Sequence, residues 1–293
     1  MAHPTMSSSG TTTMEEESGK GHPQHPHHFV LVHGVCHGAW CWYKVATLLT
    51  SAGHRVTALD MAGCGASPAR GEDVASFEDY SRPLLDVVAA LPPREQAVLV
   101  GHSFGGKSLA LAMERFPDRV AAAVFVSAAM PAAGNPMTII LEEFSKETGP
   151  DFYMDCAYSA SNPECPALET VLLGPEYLAK RLYQLSPPED LTLAKAMVRP
   201  SRSFQEDAML QRNNVLTAGR YGAVRRVCIV AEDDASWSAE FQRRMASWSP
   251  GTEVRGLQGA DHMAMLSKPT ELSHLLVEVA NNTSTVERHI VLI

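Results

Sequence analysis

Ala97-Val98-Leu99-Val100-Gly101-His102-Ser103-Phe104-Gly105-Gly106-Lys107 is the stretch that decides the fold. Residues 97–100 form a continuous apolar run, the pattern of a strand buried on both faces. From Phe104 to Phe116 the apolar spacing is helical. Between the two lies Gly101-His102-Ser103-Phe104-Gly105, a G-x-S-x-G motif in a strand-to-helix context. Such a turn is sharp and strained, and its glycines remove side chains that would collide there. The helix start places positive partial charge beside any oxygen that becomes anionic at the serine. Ser103 is therefore the candidate nucleophile, and the backbone N–H of Phe104 a candidate oxyanion donor. Lys107 sits in the first helical turn, where a cation opposes the helix dipole. Nothing in the sequence accounts for it.

Outward from this turn the chain alternates strands and helices. Strands are expected at 29–32, 55–59, 97–100 and 120–127. Helices are expected at 42–51, ended by Gly53, at 77–91, stopped by Pro92-Pro93, and at 104–116. The alternation implies α/β class, with a parallel sheet covered by helices. From about 130 to 222 the rhythm breaks. Helical patterns appear at 176–185 and 190–197 but no convincing strand, so the segment reads as a helical insertion. Alternation resumes with a strand at 227–230, a helix at 240–247, a strand at 253–257 and a helix at 271–280. Residues 281–293 read as a ragged tail, which leaves 28–280 as one domain. Residues 1–27 are rich in Ser, Thr, Gly, Glu and His and lack the apolar content to fold, so a disordered tail is expected. His22, His25, His27 and His28 read as part of that solvated end rather than as a metal site.

A second cluster follows the first strand: His33-Gly34-Val35-Cys36-His37-Gly38. The loop after an early strand supplies the other oxyanion N–H in this arrangement, which makes Val35 the second candidate donor. A carboxylate and a histidine should follow the serine in that order. Glu232-Asp233-Asp234 lies beyond the end of one late strand and Gly259-Ala260-Asp261-His262 beyond the end of the next. These are the places where an open α/β sheet puts its ligands. His262 is the candidate base. Asp261 is adjacent to it and cannot easily reach round to the imidazole. Spacing leaves Asp233 and Asp234 both open.

Composition narrows the partners. The 293 residues suit one large α/β domain, and a hydrophobic share of 45% is ample for its core. A net charge of -9 offers no footprint for nucleic acid or for an anionic membrane surface. The most apolar run, about 120–130, is short of the roughly 20 residues that cross a bilayer. No leader is evident in residues 1–28, which carry Glu15, Glu16 and Glu17. A cytoplasmic location is expected. The six cysteines form no C-x-x-C pair or metal spacing and read as free thiols.

Several of these stretches together resemble one family. Phe29-Val30-Leu31-Val32-His33-Gly34-Val35-Cys36-His37-Gly38-Ala39-Trp40, the serine turn, Leu182-Tyr183-Gln184-Leu185 and Gly259-Ala260-Asp261-His262-Met263-Ala264-Met265-Leu266 are similar to the plant methylesterases, a family that also holds α-hydroxynitrile lyases. The resemblance implies an α/β-hydrolase fold: a mostly parallel central sheet flanked by helices, with a helical cap inserted after the sixth strand. It implies hydrolysis of methyl esters of plant hormones such as jasmonate, indole-acetate and salicylate, with no metal and no cofactor. Lining up 226–230 and 240–242 with the family pattern implies that the acid is Asp234. Ala129 stands where salicylate-cleaving relatives carry a large aromatic, which implies a roomier acyl site. Gly34 and Met263 stand where the lyases carry threonine and lysine, which implies an esterase rather than a lyase. The alternatives that remain are an α-hydroxynitrile lyase and a non-hydrolytic receptor. The cap is expected to close an apolar pocket with Tyr153, Met154 and Tyr158 along it. The partner expected is a small-molecule ester, without nucleic acid or membrane, and for assembly a homodimer.

Overall fold

Phe29 and Leu31 pack to one side of a sheet and Val30 and Val32 to the other, all four fully buried. The continuous apolar run has this cause: a strand with helices on both faces needs apolar residues at every position. The computed structural model describes Met1, residues 26–160 and residues 169–290. Most of the expected N-terminal tail, with His22 and His25, lies outside the described residues, as does Cys165. His27 lies inside: its N–H donates to His54 Nδ1 at 3.2 Å.

Strands and helices alternate as β1 (His28–Val32), α1 (Tyr43–Ser51), β2 (Arg55–Leu59), α2 (Phe77–Ala89), β3 (Ala97–Ser103), α3 (Gly105–Arg115) and β4 (Val120–Ala128). The intervening segment holds α4 (Ile139–Ser145), β5 (Ala157–Ala160), β6 (Glu169–Leu172), α5 (Pro175–Tyr177), α6 (Pro188–Met197) and β7 (Ser201–Arg202). The chain then returns to the sheet with β8 (Arg226–Ala231), α7 (Ala239–Ser247), β9 (Glu253–Leu257), α8 (Ala264–Ser267) and α9 (Pro269–Ile290). The six core strands lie in the order β2-β1-β3-β4-β8-β9, every neighbouring pair parallel. One core cluster takes side chains from α2, α3 and α7, the other from α1, α8 and α9. The fold is that of an α/β hydrolase.

Three expectations need correction. The insertion follows the fourth described strand rather than the sixth, because β1 to β4 precede it and only β8 and β9 come after. It is not wholly helical, since β5, β6 and β7 form an antiparallel sheet of three strands. Strands of two to four residues are too short to display a period. Finally, α9 runs on to Ile290, so residues 281–290 continue a helix instead of forming a ragged tail. No Gly or Pro interrupts 270–290, and extending an existing helix costs far less than starting one.

All parallel strands end on the same edge, and the loops after β1, β3, β4, β8 and β9 meet there. Close backbone approach holds the arrangement at Gly105. A Cβ there would lie 2.6 Å from the carbonyl oxygen of His33 and 2.9 Å from that of Val32. Gly105→Ala should therefore push α3 away from β1 and lower stability by about 1–3 kcal/mol. Urea unfolding checks this, and an unchanged midpoint would show that the contact does not constrain the fold.

Candidate active site

Ser103 ends β3 in the left-handed region, with φ 51°. A non-glycine residue there costs energy and persists only where its surroundings impose it. Here the neighbouring strand bends at the same level. The β3–β4 register slips between His102 and Ser103, so that Ser103 pairs with Ala128. Ser127, passed over, has φ 39°. The Ala129 N–H then donates to the Ser103 carbonyl at 2.9 Å and fixes the turn from the other side.

A hydrogen-bonded row starts at this serine. Ser103 Oγ lies 3.0 Å from His262 Nε2, and His262 Nδ1 lies 2.7 Å from Asp234 Oδ2. With Nδ1–H donating to the carboxylate, Nε2 is left to accept from the serine hydroxyl. Asp234 is held by more than the imidazole. Its Oδ1 accepts from the N–H of Ser236 at 2.7 Å and of Trp237 at 2.9 Å. Its Oδ2 also accepts from Ser127 Oγ at 2.5 Å and from Gln242 Nε2 at 3.2 Å. The two open carboxylates separate clearly. Asp233 is turned to the loop after β9, where it takes the Gly259 N–H at 2.8 Å, and makes no hydrogen bond to His262. Asp261 turns to the cap, where it accepts from Leu185 N–H at 3.0 Å and Ser186 Oγ at 2.8 Å.

The row opens on a cavity of about 160 Å³. Gly34, Val35, Phe104, Ala129, Tyr153 and Tyr158 line it. Met154 and Met263 do not. Met154 ends a turn with φ 48° and is 37% exposed outside the cavity. Met263 is fully buried in the core cluster that includes Leu182 and Leu266, because its neighbour His262 takes the cavity face. Sequence reading missed Ile140, Leu141 and Phe144 on α4, and Trp237 after β8, which form much of the apolar wall. It also missed Ser127 as a donor to the carboxylate. Gly34 has no room for a side chain: a Cβ there would lie 2.8 Å from Ser103 Cβ. Among the described residues no cluster of His, Cys, Asp or Glu could hold a metal ion, and no helix is long and apolar enough to cross a membrane.

Residues 29–275 match the model of the alpha/beta hydrolase family. The chain is 58% identical over 253 residues to the probable esterase PIR7A of Oryza sativa, covering 86% of this chain and 96% of that one. It is 45% identical over 258 residues to methyl jasmonate esterase 1 of Vitis vinifera, covering 88% and 98%. The crystal structure of polyneuridine aldehyde esterase superposes with a TM-score of 0.84 at 42% identity, covering 87% of this chain and 100% of that chain.

Three further histidines surround the row, and all are buried. Burial brings His33 and His37 down to about 4 and His102 well below the usual histidine range. Each is neutral at pH 7. Met61 N–H donates to His33 Nε2 at 3.0 Å, so His33 Nδ1–H must donate to the Gly34 carbonyl at 2.7 Å. Tyr183 donates its hydroxyl to His37 Nε2 at 2.8 Å, leaving Nδ1–H for the Val35 carbonyl at 2.9 Å. His102 Nε2–H donates to the His262 carbonyl at 2.9 Å. The sign of the pH effect follows. A histidine whose folded value is lowered binds a proton more readily when unfolded, so its contribution is complete above pH 6.5 and lost as pH falls towards 4. Unfolding free energy should therefore drop by several kcal/mol between about pH 6.5 and 4.5. Denaturant titrations at stepped pH measure it. A flat curve across that window would mean that these imidazoles are not buried in neutral form.

Proposed function

The chain belongs to the alpha/beta hydrolase family, among its plant esterases and methylesterases, and from that premise we propose that it is a serine carboxylesterase acting on small methyl esters of the plant-hormone type. The observation that carries the reading is the row Ser103–His262–Asp234, with spacings of 3.0 and 2.7 Å, on the wall of an apolar cavity. Ser103 is the nucleophile, His262 the general base and Asp234 the group that fixes its tautomer. As Ser103 Oγ attacks the ester carbonyl, its proton passes to His262 Nε2. His262 returns that proton to the departing methoxide, which leaves as methanol. Water then attacks the acyl-serine, gives a proton to His262, and the acid is released as the serine recovers it.

The charge that develops on the carbonyl oxygen goes to the N–H groups of Val35 and Phe104. His33 serves here as a positioning residue. It holds the Gly34 carbonyl, which belongs to the same planar peptide as the Val35 N–H, so fixing one end aims the other. Asp234, taking five donors, cannot swing away when the imidazole becomes charged. The small side chain of Ala129 leaves width for an acyl group larger than a single ring close to the serine. A cytoplasmic setting belongs to the same proposal.

Methyl jasmonate, methyl indole-acetate and methyl salicylate, assayed by released acid, test the substrate class. Ser103→Ala should lower turnover by roughly 10⁴-fold or more without loss of fold. Asp234→Asn should cost on the order of 10⁴-fold in kcat, while Asp233→Asn should cost far less. The reverse ranking would transfer the acid's role to Asp233. Cyanide release from mandelonitrile above the spontaneous rate would favour a lyase. Binding without turnover of any ester would favour a receptor.

A further inference from the structure

Lys107 has no part in the acyl transfer just described, yet it lines the same cavity. It lies one turn into α3 from the serine turn, and its Nζ is 5.0 Å from the centre of the Phe104 ring. The residue is 3% exposed. Its backbone N–H donates to the Phe104 carbonyl at 3.1 Å, but among the described residues its ammonium makes no hydrogen bond and no ion pair. Glu142 on α4 acts on it only at longer range, and burial lowers its value to about 8, so at pH 7 the ammonium form still prevails. Its position in the first helical turn adds to the cost, since the helix dipole disfavours a cation there.

Among the described residues, the cavity supplies no answering charge. Of the described residues that line it, Lys107 is the sole Lys or Arg, and neither Asp nor Glu is among them. The histidines His37 and His102 on the wall are neutral. A buried ammonium facing an apolar cavity without a counter-ion is expensive, and an anion arriving from outside removes that cost. The surroundings indicate where that anion sits. Phe104 carries the lysine against its ring and stacks on Phe204, whose neighbours Ser203 and Gln205 also line the cavity. Ser203 and Gln205 are thus polar groups on the cavity wall, while Ile140, Leu141, Phe144 and Trp237 make an apolar part of it.

We infer that Lys107 is a specificity-determining residue that binds a second, free anionic group on the acyl part of the substrate, so that the preferred substrate is the methyl half-ester of a short dicarboxylic acid. This deepens the esterase reading and rests on it. The ester carbonyl meets Ser103, the apolar chain crosses the cavity, and the far carboxylate accepts hydrogen bonds from the Lys107 ammonium.

The test compares monomethyl adipate with methyl hexanoate, which differ at the far end of the chain. The unmodified protein should favour the half-ester in kcat/KM. In Lys107→Met and Lys107→Gln that preference ratio should fall roughly 10- to 100-fold. A ratio that does not move, with methyl hexanoate still cleaved, overturns the inference and leaves the esterase reading standing. Should neither these two esters nor the three hormone methyl esters be cleaved, the esterase reading fails, and thermal shift with adipate decides the anion site on its own. Stabilisation of Ser103→Ala by adipate that disappears on adding Lys107→Met supports it, and no stabilisation overturns it. Melting of the single variants separates the remaining case. Without ligand, Lys107→Met should raise Tm, because it removes an unpaired buried charge. A lower Tm in both variants would make the lysine a structural residue and overturn the inference.

Discussion

Three stretches of backbone approach one another closer than side chains allow, and the rest of the site depends on that crowding. The loop after β1, the end of β3 and the start of α3 meet where Gly105 touches the carbonyls of Val32 and His33 and Gly34 touches Ser103. Sheet pairing holds β1 to β3 in register from Phe29↔Val98 to Val32↔Gly101, so the loop cannot retreat. α3 is buried along most of its length and cannot retreat either. What yields is the dihedral of Ser103, which goes to positive φ. The strain at the serine is thus the geometric result of packing a strand, a loop and a helix start into one place. The same packing puts Val35 and Phe104, from two different elements, on the wall of the cavity that Ser103 also lines.

This part of the molecule was legible because its physics is local. A strand buried on both faces must be apolar throughout, and a turn without space must be glycine. Both leave marks in a single line of sequence at 29–38 and 97–106. β9 also forms at the expected 253–257, although as an edge strand it carries Glu253 and Arg255 and is only partly buried. The insertion was not legible, because its elements are settled by neighbours. β6 pairs with β5 and β7 across gaps in sequence, and each strand is too short to carry a period. The stretch 176–185 has helical spacing, yet Leu178–Leu182 is wound as a π-helix after α5. Tertiary contact decides that local winding.

The site divides along the same line. Ser103 and His262 follow from position, since one ends a core strand and the other lies on the loop beyond the end of another. Asp233 and Asp234 are adjacent on one loop, and spacing alone could not choose between them. The choice comes from how that loop meets the loop after β9: Asp233 takes the Gly259 N–H there, and Asp234 faces the imidazole. Side-chain direction also explains the two misplaced methionines. Met154 follows Tyr153 and Met263 follows His262, but consecutive side chains point to different sides, so a lining residue predicts little about its neighbour. Ser127 was hidden for another reason. It reaches Asp234 only because β4 bends where β3 does, and no residue type in β4 announces that bend.

The two buried charges at the cavity are treated in opposite ways. Asp234 receives five donors from four segments of chain, as a buried carboxylate requires if it is not to be a large cost. Lys107 receives an aromatic ring and a distant carboxylate. A cation over an aromatic face gains roughly 0.5–2 kcal/mol, which does not offset several kcal/mol of desolvation. A fold that satisfies one buried charge so completely does not lack the means to satisfy another. A methionine or leucine would fill the same helical position with no charge to bury. The difference lies in what each group faces. Asp234 is turned towards protein on every side, and Lys107 is turned towards the space that a substrate must fill. Its missing partner therefore belongs to the contents of the cavity, and the energy spent holding an unpaired ammonium in the empty protein is returned when an anion enters.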